Sequence, residues 1–224
     1  MFPVAKEQVH QLVTQELQQL PGRRWVLPAS FVGIIILFVI ALPWLPAFAD
    51  RSGYYGVRVD LHAEPLPGAS GQPLVPPDDG VDVVFFGFQQ CGTVCPLQLV
   101  NLMELQRRLQ GEPVRFVFVT LDPERDSTAR LNEVMAGLGP HFVAVRPESG
   151  QQARQLASRY HDYAAVTGVG EAYDIEHSGH LHVVSRRGRR ELLYTNPELD
   201  LDRVTEDLVR LLSELQMYPE YAHL

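Results

Sequence analysis

The chain has 224 residues, two cysteines, eight histidines and a formal net charge of −8. That balance, with no Lys/Arg run interleaved with aromatic residues, argues against a nucleic-acid surface. The two cysteines, Cys91 and Cys95, are too close together for a disulfide framework. They point instead to local chemistry: a metal site, a reversible disulfide, or both.

Residues 1–24 place Val9, Leu12, Val13, Leu17 and Leu20 at near-helical spacing, ended by Pro21-Gly22. Residues 25–48 follow as the one strongly apolar stretch, with no charged residue between Val26 and Ala49. With its flanks the core Phe31–Leu42 reaches about 20 residues, the length of one transmembrane helix. Arg23 and Arg24 just before it predict an N-terminus in the cytoplasm or matrix, which puts the rest of the chain in the periplasm or intermembrane space. A cleaved signal peptide is the competing reading, because Ala47-Phe48-Ala49 is an acceptable cleavage site before Asp50. Both readings export the domain to a compartment that permits cysteine oxidation.

Residues 49–80 are rich in Pro and Gly and read as a linker leading into the domain. The main domain is expected over 81–215, with a short tail at 216–224. Val81–Phe88 (VDVVFFGF) and Val114–Leu121 (VRFVFVTL) are β-branched and aromatic runs of the kind found in buried strands. Between them Leu99, Leu102, Leu105 and Leu109 recur at helical spacing, and Pro96 suits a first helical turn. Ser127 is placed to cap a helix running to about Leu138. A short strand at Phe142–Val145 and a helix over Gln151–Tyr160 follow. Leu181–Ser185 and Glu191–Tyr194 read as a hairpin, and Val204, Leu208, Leu211, Leu212 and Leu215 mark a final amphipathic helix. This order predicts an α/β fold: a thioredoxin-like mixed sheet with helices on both faces.

In that plan Cys91 and Cys95 sit where a central strand gives way to a helix. Free backbone N–H groups and the helix dipole favour thiolate there. Unreactive core cysteines are the plain alternative, but these two flank a Gly-containing turn rather than lying in a core stripe. Thiol–disulfide exchange usually employs a tighter C-x-x-C with a proline before the late hairpin. Here the spacer is Gly92-Thr93-Val94, and Val166–His182 contains no proline. Peroxidase chemistry would want a Thr three residues before the nucleophile, where this chain has Phe88. Metal binding remains alongside exchange. Two soft sulfurs leave an ion short of ligands, and an imidazole is the natural third, a set that suits copper. Glu176-His177-Ser178-Gly179-His180-Leu181-His182 offers three histidines just before or on a strand. His180 and His182 share one strand face by period two and are expected to form an exposed face, with auxiliary ligation as the alternative.

Three segments in order, FFGFQQCGTVCP, TLDPERDS and EHS, resemble the signatures of the SCO/SenC family, over roughly Val81–Leu215. The resemblance implies a thioredoxin-like fold on a single membrane anchor. It also implies copper, Cu(I) or Cu(II), held by Cys91, Cys95 and His177, and service to the CuA-bearing subunit of cytochrome c oxidase together with other copper chaperones. Asp122 becomes a signature residue near the site. The chain departs from the family pattern at Gln90, at Gly92-Thr93 where Pro-Asp is usual, and at Glu176 where Asp is usual. The two functional expectations are a copper chaperone rather than an enzyme, and a thiol–disulfide oxidoreductase acting on exported proteins. Transfer needs His177 as a ligand, whereas exchange does not.

Overall fold

The computed structural model describes residues 33, 35–40, 53–68 and 72–217. The chain divides into two units, 1–53 and 54–224. In the first, residues 33 and 35–40 are helical, and the rest of the expected anchor lies outside the described residues, as do most of the linker's start and the tail beyond Met217. Among the described residues no helix is long and apolar enough to cross a membrane.

The second unit is built on a six-stranded sheet. Its strands are β1 (Val57–His62), β4 (Val81–Gly87), β5 (Val114–Thr120), β6 (Phe142–Val145), β9 (Leu181–Ser185) and β10 (Arg189–Tyr194), in the order β1-β10-β9-β4-β5-β6. Two small hairpins stand apart from it: β2 (Leu66–Pro67) with β3 (Pro73–Leu74), and β7 (Ala164–Thr167) with β8 (Asp174–His177). The helices are α1 (Val94–Arg108), α2 (Thr128–Leu138), α3 (Gly150–Arg159) and α4 (Leu201–Met217).

The apolar runs explain the centre of the sheet. Every residue of β4 is buried, and all but one of β5 are, so both faces of these strands are covered. β4, β5 and β6 run parallel, while β9 runs antiparallel to β4 and to β10. Helix α1 buries Leu102 and Leu105 and packs against α4, which buries Val204, Leu208, Leu211 and Leu212. Ser127 caps α2 as expected, its hydroxyl accepting from the Arg130 N–H at 3.3 Å. Ser149 caps α3 in the same way.

The Pro/Gly-rich stretch before Val81 holds more structure than its composition suggests. Its residues 57–62 form the edge strand β1, paired antiparallel with β10. Tyr54, Ala63 and Leu66 join the core. The Asp207 carboxylate of α4 accepts the N–H groups of Tyr55 and Gly56 at 2.9 and 2.7 Å, tying this stretch to the last helix.

The register sets up the site. Leu181, at the start of β9, pairs with Phe85 near the end of β4. The β8–β9 connection, carrying His177 to His180, is therefore delivered beside the loop that follows β4.

Candidate metal centre

Beyond β4 the chain makes a tight turn, with the Cys91 N–H donating to the Phe88 carbonyl at 3.2 Å. Helix α1 begins at Val94, so Cys95 lies in its first turn. Thr93 holds the N-cap position but makes no side-chain cap. Its hydroxyl faces the Cys91 sulfur instead, at 3.5 Å. Both cysteines are free thiols, Cys91 8% and Cys95 3% exposed. Gly87 makes room for the second: a Cβ there would stand 2.8 Å from the Cys95 sulfur and 3.0 Å from the rings of Phe85 and Phe118.

His177 closes the set. Its Nε2 lies 3.4 Å from each sulfur, and the three donor atoms fall within 4.8 Å of one another. Its Nδ1 is 2.7 Å from the Ser178 carbonyl. A carbonyl only accepts, so Nδ1 carries a proton and Nε2 is the nitrogen turned to the sulfurs. The rings of Phe88 and Phe85 flank the imidazole at 5.7 and 6.1 Å. The histidine loop is also pinned from α1. Buried Gln98 donates to the Gly179 carbonyl, and Asn101 bridges Gln98 Oε1 and the Pro197 carbonyl, each at 2.9 Å. Sequence reading passed over Gln98 and Asn101; the available signal was a pair of amides on the same helix as the buried leucines.

The two sulfurs are electrostatically unlike. Burial acts to raise the Cys91 pKa, but hydrogen bonding by Thr93, by the Cys95 backbone and by His177 outweighs it and brings the thiol down to about 6. Burial pushes Cys95 far up, reinforced by the charge of Cys91. In the reduced chain, alkylation of Cys91 is therefore expected to rise to half its maximal rate near pH 6, while Cys95 stays unmodified at neutral pH. Mass spectrometry of iodoacetamide-treated protein across pH checks both. Equal labelling of the two at pH 7 would contradict this division.

Asp122 lies behind the site rather than in it. Its buried carboxylate pairs with Arg125 and accepts the Tyr173 hydroxyl at 2.6 Å. The Arg125 guanidinium stacks 3.9 Å over the Tyr173 ring and reaches to 5.9 Å from the Phe88 ring, which in turn contacts His177. Asp126 is closer to the cysteine loop, accepting from the Gln89 N–H at 3.2 Å and the Thr120 hydroxyl at 2.6 Å. Burial raises its pKa.

His180 and His182 do not form an exposed face. His182, on β9, is 1% exposed, and His180 is 24% exposed at its side chain. Both are turned toward buried Asp162 from the end of α3, His182 Nε2 at 3.2 Å and His180 Nδ1 at 3.5 Å. Period two correctly put them on one side, but that side faces the protein. Burial lowers the His182 pKa, against the pull of Asp162.

A thioredoxin-like mixed sheet carrying two free thiols and an imidazole at its strand–helix junction defines a class of thiolate-centred, metal-binding or redox domains. The SCO1/SenC family model matches residues 78–213, and the chain belongs to that family. Among curated proteins it is 30% identical over 112 residues to the mitochondrial SCO2 homolog of Bos taurus, a match covering 47% of this chain and 42% of that protein. It is 26% identical over 114 residues to an SCO2-like protein of Rickettsia conorii, covering 49% and 55%. The chain thus spans about half the length of the curated relatives it matches. The solution structure of apo Sco1 from Thermus thermophilus aligns at a TM-score of 0.58 and 28% identity, over 70% of this chain and 96% of that one. Yeast Sco1 with copper bound shares the fold at a TM-score of 0.57 and 19% identity, over 75% and 95%.

Proposed function

We propose that this protein is a copper chaperone of cytochrome c oxidase assembly, holding one copper ion through Cys91, Cys95 and His177. The observation that carries the reading is the approach of both sulfurs to a single imidazole nitrogen at 3.4 Å. With metal–nitrogen and metal–sulfur bonds of about 2.0–2.3 Å, donors so spaced span one small ion with little movement. Two sulfurs and one imidazole suit copper, and a soft three-donor set suits Cu(I). Cys91, with its pKa near 6, supplies a ready thiolate. Cys95 is held as the thiol and gives up its proton when the ion binds. Family membership supports the oxidase connection, and the CuA-bearing subunit is the proposed recipient. Purified under reducing, anaerobic conditions and offered copper and zinc together, the chain is expected to retain one copper per molecule. Stoichiometric zinc without copper, or no metal, would refute the reading.

A second reading, a thiol–disulfide oxidoreductase, is favoured by the contrast between the sulfurs. A Cys91 thiolate attacks a partner's disulfide, and Cys95 then displaces the partner's second thiol. The chain ends oxidised at Cys91–Cys95 and the partner carries two thiols. This role does not need His177 as a metal ligand.

Residues 25–48 are proposed as the membrane anchor, with residues 1–24 in the cytoplasm or matrix and the domain on the exported side. The support is the apolar run preceded by Arg23 and Arg24. A topology reporter fused after Leu224 should be active on the exported side; activity confined to the cytoplasm would overturn the orientation.

A further inference from the structure

The inward-facing histidines have a consequence of their own. Helix α3 ends in a Schellman turn: the His161 N–H donates to the Ser158 carbonyl and the Asp162 N–H to the Ala157 carbonyl, both at 2.9 Å, with His161 in the left-handed region at φ 56°. The turn sends Asp162 inward, where its side chain is 1% exposed. One oxygen, Oδ2, faces His182 Nε2 at 3.2 Å. The other, Oδ1, is buried without a hydrogen-bond partner, and so is the His180 Nδ1 that faces it at 3.5 Å. Two unsatisfied polar atoms turned toward each other in a buried place call for an explanation. An ordinary Asp–His pair satisfies one oxygen and leaves the rest.

We propose that Asp162, His180 and His182 form a second metal site, for a borderline divalent ion of the zinc type. The donor atoms of all three residues lie within 4.8 Å of one another. Bonds of about 2.0–2.2 Å at tetrahedral angles put donors about 3.3–3.6 Å apart, close to the 3.2 and 3.5 Å seen. Two imidazoles and a carboxylate lack the sulfur that selects a soft ion, so the site differs in preference from the Cys91–Cys95–His177 centre. His180 is the one of the three whose side chain is partly exposed, at 24%. His180 lies three positions after His177, so one connection between β8 and β9 would serve two ions of unlike chemistry.

The two centres share no ligand, so this site is testable without the first. In the full chain, solubilised in detergent and carrying Cys91→Ser and Cys95→Ser, titration with zinc chloride is expected to give one Zn2+ per molecule and a zinc-dependent rise in melting temperature. Adding Asp162→Asn or His180→Gln should weaken that binding by at least the 10- to 100-fold typical of losing even an outer-shell partner, and should remove the rise. His180→Gln alters a partly exposed side chain, and circular dichroism checks whether the variant is folded. No zinc uptake by the doubly substituted chain would overturn the proposal. So would undiminished zinc affinity in the folded His180→Gln variant, or zinc uptake that depends on His177 instead.

Discussion

Replacing Cys91 or Cys95 with Ser is expected to abolish copper retention and disulfide formation together, taking the reduced chain from one copper per molecule to none after gel filtration. A hydroxyl is a poor ligand for a soft ion and forms no disulfide. The two variants should fail for different reasons. Cys91→Ser removes the sulfur that is already ionised near neutral pH. Cys95→Ser sets a hydroxyl at a position 3% exposed, walled by Gly87 and facing His177. A buried hydroxyl without a full partner costs about 1–3 kcal/mol, so Cys95→Ser should also unfold at lower denaturant. Metal analysis of both variants, with a denaturation curve for each, checks these outcomes. Full copper retention by either one would remove its sulfur from the ligand set.

Replacing His177 with Ala separates the two chemistries. Copper drops from three protein donors to two, and affinity should fall by on the order of 100-fold, the upper end of what even an outer-shell partner contributes. The Cys91–Cys95 disulfide should still form on oxidation. That bond needs only the two sulfurs about 2 Å apart with suitably placed α-carbons, and the imidazole contributes nothing to it. Neighbouring histidines should not rescue binding, because His180 and His182 are turned toward Asp162. Copper affinity from competition with a chelator, beside thiol counting after oxidation, reads both properties. Undiminished copper binding in His177→Ala would move the oxidoreductase reading ahead of the chaperone reading.

Much of this arrangement was legible in the sequence, for identifiable reasons. β4 and β5 are buried on both faces, and such strands announce themselves as unbroken apolar runs. The Ser127 cap and the leucine spacings of α1 and α4 are local rules that the tertiary fold did not override. β1 escaped notice because an edge strand exposed at nearly every position shows no alternation, and it sits among prolines and glycines. The β7–β8 hairpin is made of two four-residue strands, too short for a periodic signal, although it carries His177. The proximity of His177 to the cysteines came from the analogy of fold, since it lies 86 and 82 positions along the chain from Cys91 and Cys95. The inward turn of His180 and His182 depends on Asp162, which arrives from another helix end, and no spacing within the histidine segment reveals it. Gln98 and Asn101 likewise became positioning residues only once the loop they hold was placed against α1.

The central claim is that Cys91, Cys95 and His177 bind a single copper ion together. X-ray absorption at the copper edge, on the reduced full chain loaded with one equivalent of Cu(I), reads the ligands directly. The account predicts a shell of two sulfurs and one nitrogen, the nitrogen lost in His177→Ala and the sulfurs in the doubly substituted Cys91→Ser, Cys95→Ser chain. A shell of nitrogen and oxygen alone, or one unchanged by either set of replacements, would contradict it.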